Sequence, residues 1–337
     1  MPLIYLDSNI ISYLHHPEDY SGQSWQTDAP AILGFFEQDP HSAVLFSPAH
    51  LMDIRKGFKK DQQRALEKLQ FLARLTKRRQ LTKYFGSHEM RVEEVDPEAF
   101  FMEDNEYNAE FHAPGKKRLN YLSLIRRTPA YDRLKTKRLD FERVKRVLSA
   151  IPIKLKWTRK DPTAYNLMCD FAVFLGEMIE NDFIIYKPFR EQAIRETGLA
   201  DKLALQEDPL SFLQTHLTAT VMGQRIREGM NELLADDPND REGIIFGLFM
   251  NLDFLGFKRD KITDGHGYMS LAADATHCFY ASYCDLFVTD DERTAKKTEA
   301  VYKHLKIPTK VLTMRQLVDW VKAHQSAEIQ KGPDLTV

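Results

Sequence analysis

Acidic residues stand at or beside the ends of the apolar segments of this chain. Asp7 follows the apolar run 3–6, Asp53 lies one to two turns into the helix predicted after a second apolar run, and Asp274 and Asp290-Asp291 flank a third run. Ligands of an open parallel sheet bind outside the carboxyl ends of its strands. Carboxylates that meet there, with few thiols or imidazoles nearby, form a hard oxygen site suited to Mg²⁺ or Mn²⁺.

Each of these carboxylates also has a purely structural interpretation. Asp7 and Asp291 could cap the helices that follow them, since Asp is a favoured N-cap residue, and Asp53 could lie on a solvated helix face. Asp274 is harder to explain in this way because it interrupts the small and apolar run Leu271–Ala275. An isolated buried charge is costly unless it is paired or bound to a metal.

Short apolar, β-prone runs alternate with helical patterns at both ends of the chain. The predicted strands are 3–6, 43–46, 286–288 and 310–312. Helices are predicted at 10–14, from Ser47-Pro48 onward, at 271–284 with Ser270 as N-cap, at 292–305 and at 314–324. Buried strands that alternate with helices predict a parallel sheet in an α/β domain, whose strand ends would position the acids.

The pattern changes between 59 and 261, where apolar residues recur at helical spacing in the segments 61–85, 140–150, 164–179 and 214–234. The sequence therefore predicts a small three-layer α/β/α parallel-sheet domain that is split by a large all-α insertion. Residues 1–58 and 262–325 would form the two halves of this domain, 59–261 the insertion, and 326–337 a polar tail.

The composition excludes several classes of protein. The chain has 337 residues, of which 43% are hydrophobic and 28% charged, as in globular rather than disordered or coiled-coil proteins. Its three cysteines, Cys169, Cys278 and Cys284, form no CxxC pair, which excludes a disulfide scaffold or a cysteine zinc site.

The most apolar stretch, Ile244–Phe257, is too short to span a bilayer and is predicted to be a buried helix. With no signal-peptide pattern, we expect a cytoplasmic protein without a membrane segment.

Positive charge is concentrated in one part of the chain. The net charge is −2, yet residues 116–160 contain sixteen basic and three acidic residues. A basic block in an otherwise acidic protein is typical of a polyanion-binding surface, and a solvated helical face is the alternative. Within it, Trp157 could stack on an unpaired base, flanked by the phosphate-binding candidates Lys154, Lys156 and Arg159.

Four motifs carry a resemblance to a known family. They are Tyr5-Leu6-Asp7-Ser8-Asn9-Ile10, Phe46-Ser47-Pro48-Ala49-His50-Leu51-Met52-Asp53, Asp274-Ala275-Thr276-His277 followed by Ala281, and Phe287-Val288-Thr289-Asp290-Asp291. In their order and in their placement on strands and helices, they resemble the successive motifs of the PIN-domain nuclease superfamily. The resemblance covers about 1–58 and 262–324, and the large insertion departs from small members of the family.

The resemblance implies a set of site residues. Asp7, Asp53, Asp274 and Asp291 would be catalytic ligands of one or two Mg²⁺ or Mn²⁺ ions, with Asp290 as an alternative or additional ligand. Asn9 and Thr289 would orient carboxylates or water. His277, one turn from Asp274, could contact the leaving group or a metal, or could make a structural hydrogen bond. The same alternatives apply to His50.

Basic residues close to the acidic motifs are candidates for substrate binding. Arg55, Arg293, Lys296 and Lys297 could hold a phosphate of the substrate beside the metal site, or could simply balance the neighbouring acids. The sequence does not decide between these two roles.

The predicted function is that of a metal-dependent ribonuclease. As in the family, cleavage would leave a 5′-phosphate and a 3′-hydroxyl, and the cellular role would be that of a toxin, a phage-defence effector or an RNA-processing factor. The alternatives are a DNA or flap nuclease, and a non-catalytic module that binds RNA or protein. A second copy of the chain and a protein inhibitor are further partners that the sequence leaves open.

Overall fold

The computed structural model describes residues 2–38, 43–58, 60–84, 87–103, 186–262 and 268–331. The strands are β1 (Leu3–Leu6), β2 (Ala43–Leu45), β3 (Arg79–Lys83), β4 (Met90–Glu94), β5 (Leu286–Val288) and β6 (Lys310–Leu312). The helices are α1 (Ser8–His15), α2 (Ala29–Gln38), α3 (Pro48–Phe58), α4 (Gln62–Thr76), α5 (Tyr186–Thr197), α6 (Ala200–Leu203), α7 (Pro209–His216), α8 (Val221–Asp236), α9 (Arg241–Phe254), α10 (Tyr268–Ala281), α11 (Glu292–Leu305) and α12 (Met314–Lys331). Short 3₁₀ helices form at Pro17–Tyr20 and Gln26–Asp28.

Four strands form a parallel sheet in the order β2-β1-β5-β6, which confirms the predicted α/β class. An isolated parallel bridge between Phe46 and Gln80 brings β3 next to the end of β2. Hydrogen bonds continue past the strand ends, since the Asp7 amide donates to the Val288 carbonyl at 2.9 Å and the Thr289 amide to that of Leu312 at 2.9 Å. The chain segments that leave β1 and β5 are therefore held in fixed positions at one edge of the sheet.

Helices cover both faces of this sheet because alternate strand residues point to opposite sides. Tyr5 of β1 packs into a core with α9, α10 and α11. Its neighbours Ile4 and Leu6 pack into a second core with α1, α2, α4 and α12. Both cores are built from fully buried aliphatic and aromatic side chains.

The interpretation of 59–261 as an all-helical insertion is wrong between 79 and 94. There β3 and β4 form an antiparallel pair, with Leu81 opposite Val92. The helix predicted over 61–85 ends at Thr76, where Lys77 and Arg78 take positive φ values of 52° and 60° and reverse the chain. In addition, α4 packs against β2, and α9 packs against α10 and α11, two helices of the predicted α/β domain. The helices predicted at 140–150 and 164–179, and the basic block 116–160, lie outside the described residues.

Three other helix predictions need correction at their ends. Ser270 lies inside α10, which begins at Tyr268, so it is not an N-cap. The single helix predicted over 214–234 is two helices, because Thr220 caps α8 through its side chain, which accepts from the Gly223 amide at 3.0 Å. The last helix extends to Lys331.

The apolar stretch around α9 is a buried helix, as predicted, with Leu248, Phe249 and Leu252 all 0% exposed. In the parts of the chain that the structure describes, no helix is both long enough and apolar enough to cross a membrane. Cys278 and Cys284 are buried free thiols.

Candidate active site

Asp7 leaves the central strand and begins the next helix. Its Oδ1 accepts the Ser8 amide at 2.6 Å, so it caps α1, while its Oδ2 accepts the Thr289 hydroxyl at 2.6 Å. The same Thr289 oxygen accepts the Asp291 amide at 3.2 Å. The hydroxyl of Thr289 therefore connects the carboxylate that follows β1 with the backbone that follows β5.

The environment of Asp7 disfavours its negative charge. Burial is the main cause that raises its pKa, and the nearby Asp53 carboxylate raises it further. The charge of His277 and the hydrogen bond from Thr289 lower it, but they do not offset the burial. A cation placed beside Asp7 would favour its ionised form.

Asp53 lies within a cluster of hydrogen bonds rather than on a solvated helix face. Its Oδ2 accepts from the Ser8 hydroxyl at 2.7 Å and from His277 Nε2 at 2.9 Å, and its Oδ1 accepts from Lys56 Nζ at 2.7 Å. Burial on its own would raise the pKa of Asp53, but the hydrogen bond and charge of His277, together with Lys56, outweigh it and lower the pKa.

His277 is a hydrogen-bond partner of Asp53. Its ring is 1% exposed. Burial would lower its pKa, yet the hydrogen bond to Asp53 and the charges of Asp7, Asp53 and Asp274 outweigh burial and raise it. The other ring nitrogen, Nδ1, lies 2.8 Å from the Tyr5 hydroxyl, so an imidazolium donates there. The structure therefore gives His277 the hydrogen bonds of a residue that orients Asp53.

The hydrogen-bond chain continues from Tyr5 into the protein interior. The Tyr5 hydroxyl lies 2.7 Å from the Ser47 hydroxyl. His50 Nδ1 accepts the Ser47 amide at 3.0 Å, which requires that this nitrogen carry no proton, and Nε2 donates to the Leu6 carbonyl at 2.7 Å. His50 is thus a buried, neutral, structural histidine.

The neutral His50 predicts an acid-sensitive fold. Burial and the nearby His277 charge lower its pKa from 6.5 to about 3. Below pH 6.5 the unfolded chain binds a proton that the folded protein excludes, so stability is lost as the pH falls towards 3. One such group changes the free energy of unfolding by at most about 1.4 kcal/mol per pH unit.

We expect His50→Gln to remove this contribution. Urea unfolding of the variant between about pH 7.5 and 5 should show a shallower loss of stability than the wild type. His216→Gln, at an exposed position on α7, should keep the wild-type slope. Equal slopes for wild type and His50→Gln would contradict the neutral assignment.

Asp274 lies on α10, one turn before His277. Burial raises the pKa of its carboxyl well above the usual value, and the carboxylates of Asp7 and Asp260 raise it further. No described residue donates a hydrogen bond to the Asp274 carboxylate, whereas Asp7 and Asp53 both accept several. Of these three acids, Asp274 therefore has the fewest contacts that would stabilise its negative charge.

The two acids after β5 act as helix caps. Asp291 Oδ1 accepts the Arg293 and Thr294 amides at 2.8 and 3.0 Å and caps α11, as the structural interpretation of this residue predicts. Asp290 Oδ1 accepts the Met314 amide at 2.7 Å at the start of α12. Both acids use one carboxylate oxygen for these contacts.

The donor chemistry of Asp7 and Asp274 fits a divalent cation, although the described residues form no ready ligand set. Within the described ranges, no three His, Cys, Asp or Glu side chains lie close enough together to hold a metal ion. Burial and neighbouring acids nevertheless disfavour the ionised form of both carboxylates, and a cation beside them would remove this penalty. Asn9, two residues after Asp7, adds a buried Oδ1 with no hydrogen-bond partner. Asp7 and Asp274 are therefore the two carboxylates of this site whose charge a bound ion would stabilise.

Among the basic candidates, the phosphate-binding role of Lys297 is wrong in this structure. Its side chain is 0% exposed, and its Nζ lies 2.6 Å from Asp260 and 3.4 Å from Asp253. A buried ammonium needs a charged partner to compensate for its loss of hydration. The two aspartates, rather than a substrate, are the partners of Lys297.

The other described basic candidates also contact protein side chains. Lys296 pairs with Glu299 at 2.8 Å, Arg293 lies 3.5 Å from Asp260, and the Arg55 guanidinium lies 5.4 Å from the Phe101 ring centre. The remaining candidates, Lys154, Lys156, Trp157 and Arg159, lie outside the described residues.

Sequence reasoning missed several residues of this site. Ser8 bonds Asp53, and Tyr5 and Ser47 extend the chain from His277. Lys68 of α4 reaches the start of α1, where its Nζ donates to the Ser12 hydroxyl at 2.8 Å. Ser8, Tyr5 and Ser47 lie within the acidic motifs and could have been found there, whereas Lys68 lies outside those motifs, in the basic stretch 59–83.

Comparison with known proteins gives no match. No protein-family model, no curated protein and no solved structure is significantly similar to this chain.

Proposed function

We propose that this protein is a metal-dependent nuclease with a PIN-like domain, and that RNA is its substrate. The observation that carries the proposal is the arrangement of Asp7, Asp53 and Asp274 around His277. These residues are far apart in the sequence, and they interact at the carboxyl edge of a parallel sheet. Ligands bind at this edge in open α/β sheets.

The protein residues have distinct roles in this proposal. Asp7 and Asp274 would hold a Mg²⁺ or Mn²⁺ ion together with Asp53, and Asp291 would be a further ligand candidate through its second oxygen. Thr289 fixes the orientation of Asp7, and His277 that of Asp53. A divalent ion in such a site lowers the pKa of bound water and neutralises charge on the leaving oxygen of a phosphodiester.

RNA is favoured as the substrate by charge and aromatic composition. The basic block 116–160 combines phosphate-binding residues with aromatic side chains, a combination typical of proteins that bind single strands. A DNA or flap nuclease is the alternative within enzymes. A non-catalytic module that binds RNA or protein is the alternative outside enzymes, and it loses support because every acidic motif position is filled.

Labelled RNA and DNA incubated with the protein in Mn²⁺ test the proposal. We expect the wild type to cut RNA in Mn²⁺ and not in EDTA, and Asp7→Asn to reduce the rate at least about 100-fold, because changes outside the ligand shell alone cost about 10- to 100-fold. Asp319→Asn, which changes an exposed acid on α12, should cut at the wild-type rate.

The other outcomes separate the alternatives. Faster cleavage of DNA than of RNA would favour the DNA nuclease. RNA binding without cleavage by either wild type or Asp7→Asn would favour the non-catalytic module and contradict the proposal.

A further inference from the structure

A pocket of about 370 Å³ lies beside Asp53, between α1, α3 and α4. This volume falls within the range of small-ligand sites, which begins at about 300 Å³. Its basic side chains come from α4 and the loop before it, and its aromatic side chains from α1 and the 3₁₀ helix that follows. The residues that line the pocket and that matter here are Lys60, Arg64, Lys68, His15, His16 and Tyr20.

Lys68 is the innermost cation of this pocket. Its Nζ donates to the Ser12 hydroxyl at 2.8 Å and, more weakly, to the Ser8 carbonyl at 3.4 Å. An ammonium has three N–H donors, so one remains for a ligand. Burial lowers the pKa of Lys68, while the charges of Asp53 and Asp7 raise it. Both of these contacts are to neutral oxygens, so an incoming anion would give the ammonium a charged partner.

The acids that line the pocket are already engaged. Asp53 accepts from Lys56 and His277. Asp61 caps α4, with its Oδ1 3.0 Å from the Arg64 amide. Their charges are therefore partly balanced before a ligand arrives. The pocket is lined by three basic and two acidic side chains, and the exposed Arg64 also lies 3.3 Å from Asp19.

The aromatic side chains that line the pocket suit a sugar or base more than a charge. Burial, together with the charges of His16 and Lys68, lowers the pKa of His15 to about 4, so its ring is neutral at neutral pH. His15 stacks on Phe71, and Tyr20 contacts Tyr13 edge to face, which holds both rings in place. Fixed aromatic rings provide faces for nucleotide stacking.

We propose that this pocket binds one nucleotide of an RNA strand, with its phosphate on Lys68 and Arg64, next to the phosphate that is cut at Asp7 and Asp53. The inference rests on the proposed function. It adds a substrate subsite, and it assigns to α4 a role in positioning the strand relative to the acids.

Binding measured without cleavage tests this subsite. Fluorescence anisotropy of a labelled single-stranded RNA of about 12 nucleotides in EDTA should show about tenfold weaker binding to Lys68→Met than to the wild type, as expected for the loss of one charge-assisted hydrogen bond. The slope of log K against log salt should fall by about 0.7, the contribution of one phosphate contact on a single strand. Lys322→Met, at an exposed lysine that pairs with Asp28, is the matched control and should bind like the wild type.

Two further variants keep the test decisive if Lys68→Met folds poorly. Lys68→Arg retains the charge and should restore most of the binding. Arg64→Gln changes an exposed side chain and should weaken binding about threefold or more. Wild-type affinity and salt slope in a folded Lys68→Met, or in Arg64→Gln, would overturn the proposal.

A competition experiment identifies the source of the phosphate. Inorganic phosphate at millimolar concentration should displace the RNA only weakly. Displacement at micromolar concentration, lost in Lys68→Met, would show that the pocket binds free phosphate and would overturn its assignment to a strand. Failure of the nuclease proposal has a different signature, namely RNA binding that depends on Lys68 in a protein that does not cut RNA.

Discussion

Replacing Asp274 by Asn is expected to make the metal-free protein more stable and to reduce the proposed cleavage of RNA. The Asp274 carboxylate lies beside Asp7, receives no hydrogen bond from the described residues, and has a raised pKa because burial disfavours its charge. At neutral pH its ionisation therefore costs folding free energy. A neutral amide of the same size removes that cost, and we expect a gain on the order of 1 kcal/mol, typical of a stabilising change at a functional site.

The same substitution removes an oxygen ligand of the proposed metal. RNA cleavage in Mn²⁺ should fall at least about 100-fold, by more than a change outside the ligand shell would cost. The increase of the melting temperature that Mn²⁺ produces in the wild type should shrink, since a ligand of the folded state stabilises it to a degree set by its affinity.

Urea unfolding in EDTA and thermal unfolding with and without Mn²⁺ measure both effects. Asp319→Asn removes an acid that is exposed on α12 and should change neither quantity. A variant at Asp274 that is less stable than the wild type in EDTA would show that the carboxylate makes favourable contacts. Unchanged cleavage would remove Asp274 from the metal site.

The sheet could be predicted from the sequence because its signal is local. The strands β1, β5 and β6 are short apolar runs between polar residues, and their observed bounds agree with the predicted ones. The β3–β4 pair could not be predicted in this way. Residues 79–83 and 90–94 form mostly polar, partly exposed segments, and their pairing is fixed by the reversal at Lys77 and Arg78 and by contact with Phe46.

The positions of the acids relative to one another could be predicted from the sequence for a similar reason. Asp7 and Asp291 follow their strands closely, so the parallel sheet alone places both at one edge. The hydrogen-bond and ion-pair partners of the acids could not be predicted, because they depend on tertiary packing. The pKa of His277 is raised mainly by the hydrogen bond to Asp53, on another helix. The burial of Lys297 becomes visible only when α9 packs against α11.

Lys297 belongs to a buried network of charges between α5, α9 and α11. Arg190 and Lys297 contact Asp253, whose side chain is 0% exposed, at 2.7 and 3.4 Å, and Lys297 also contacts Asp260 at 2.6 Å. The Lys297 ammonium lies 4.7 Å from the centre of the Phe249 ring. These contacts join the three helices through charge as well as through apolar packing.

We expect Lys297→Met to destabilise the protein by about 3–5 kcal/mol. Met keeps the length and packing of the lysine stem but removes the charge, which leaves Asp253 and Asp260 with too little positive charge, and breaking a buried pair in this way costs that amount. Lys296→Met, one position earlier on the exposed face of the same helix, loses only a surface pair with Glu299 and should change stability by no more than about 0.5 kcal/mol.

Urea unfolding of the two variants at neutral pH makes the comparison, and a double-mutant cycle extends it to the ion pair itself. If Lys297 acts mainly through Asp260, the pair Lys297→Met and Asp260→Asn should show a coupling energy above about 1 kcal/mol, because the second change removes the charge that the first left unbalanced. Equal stability of Lys297→Met and Lys296→Met would mean that Lys297 is not held inside the protein. In that case its ammonium would be free to bind phosphate beside Asp291, and the network would have no part in holding α11 against α9.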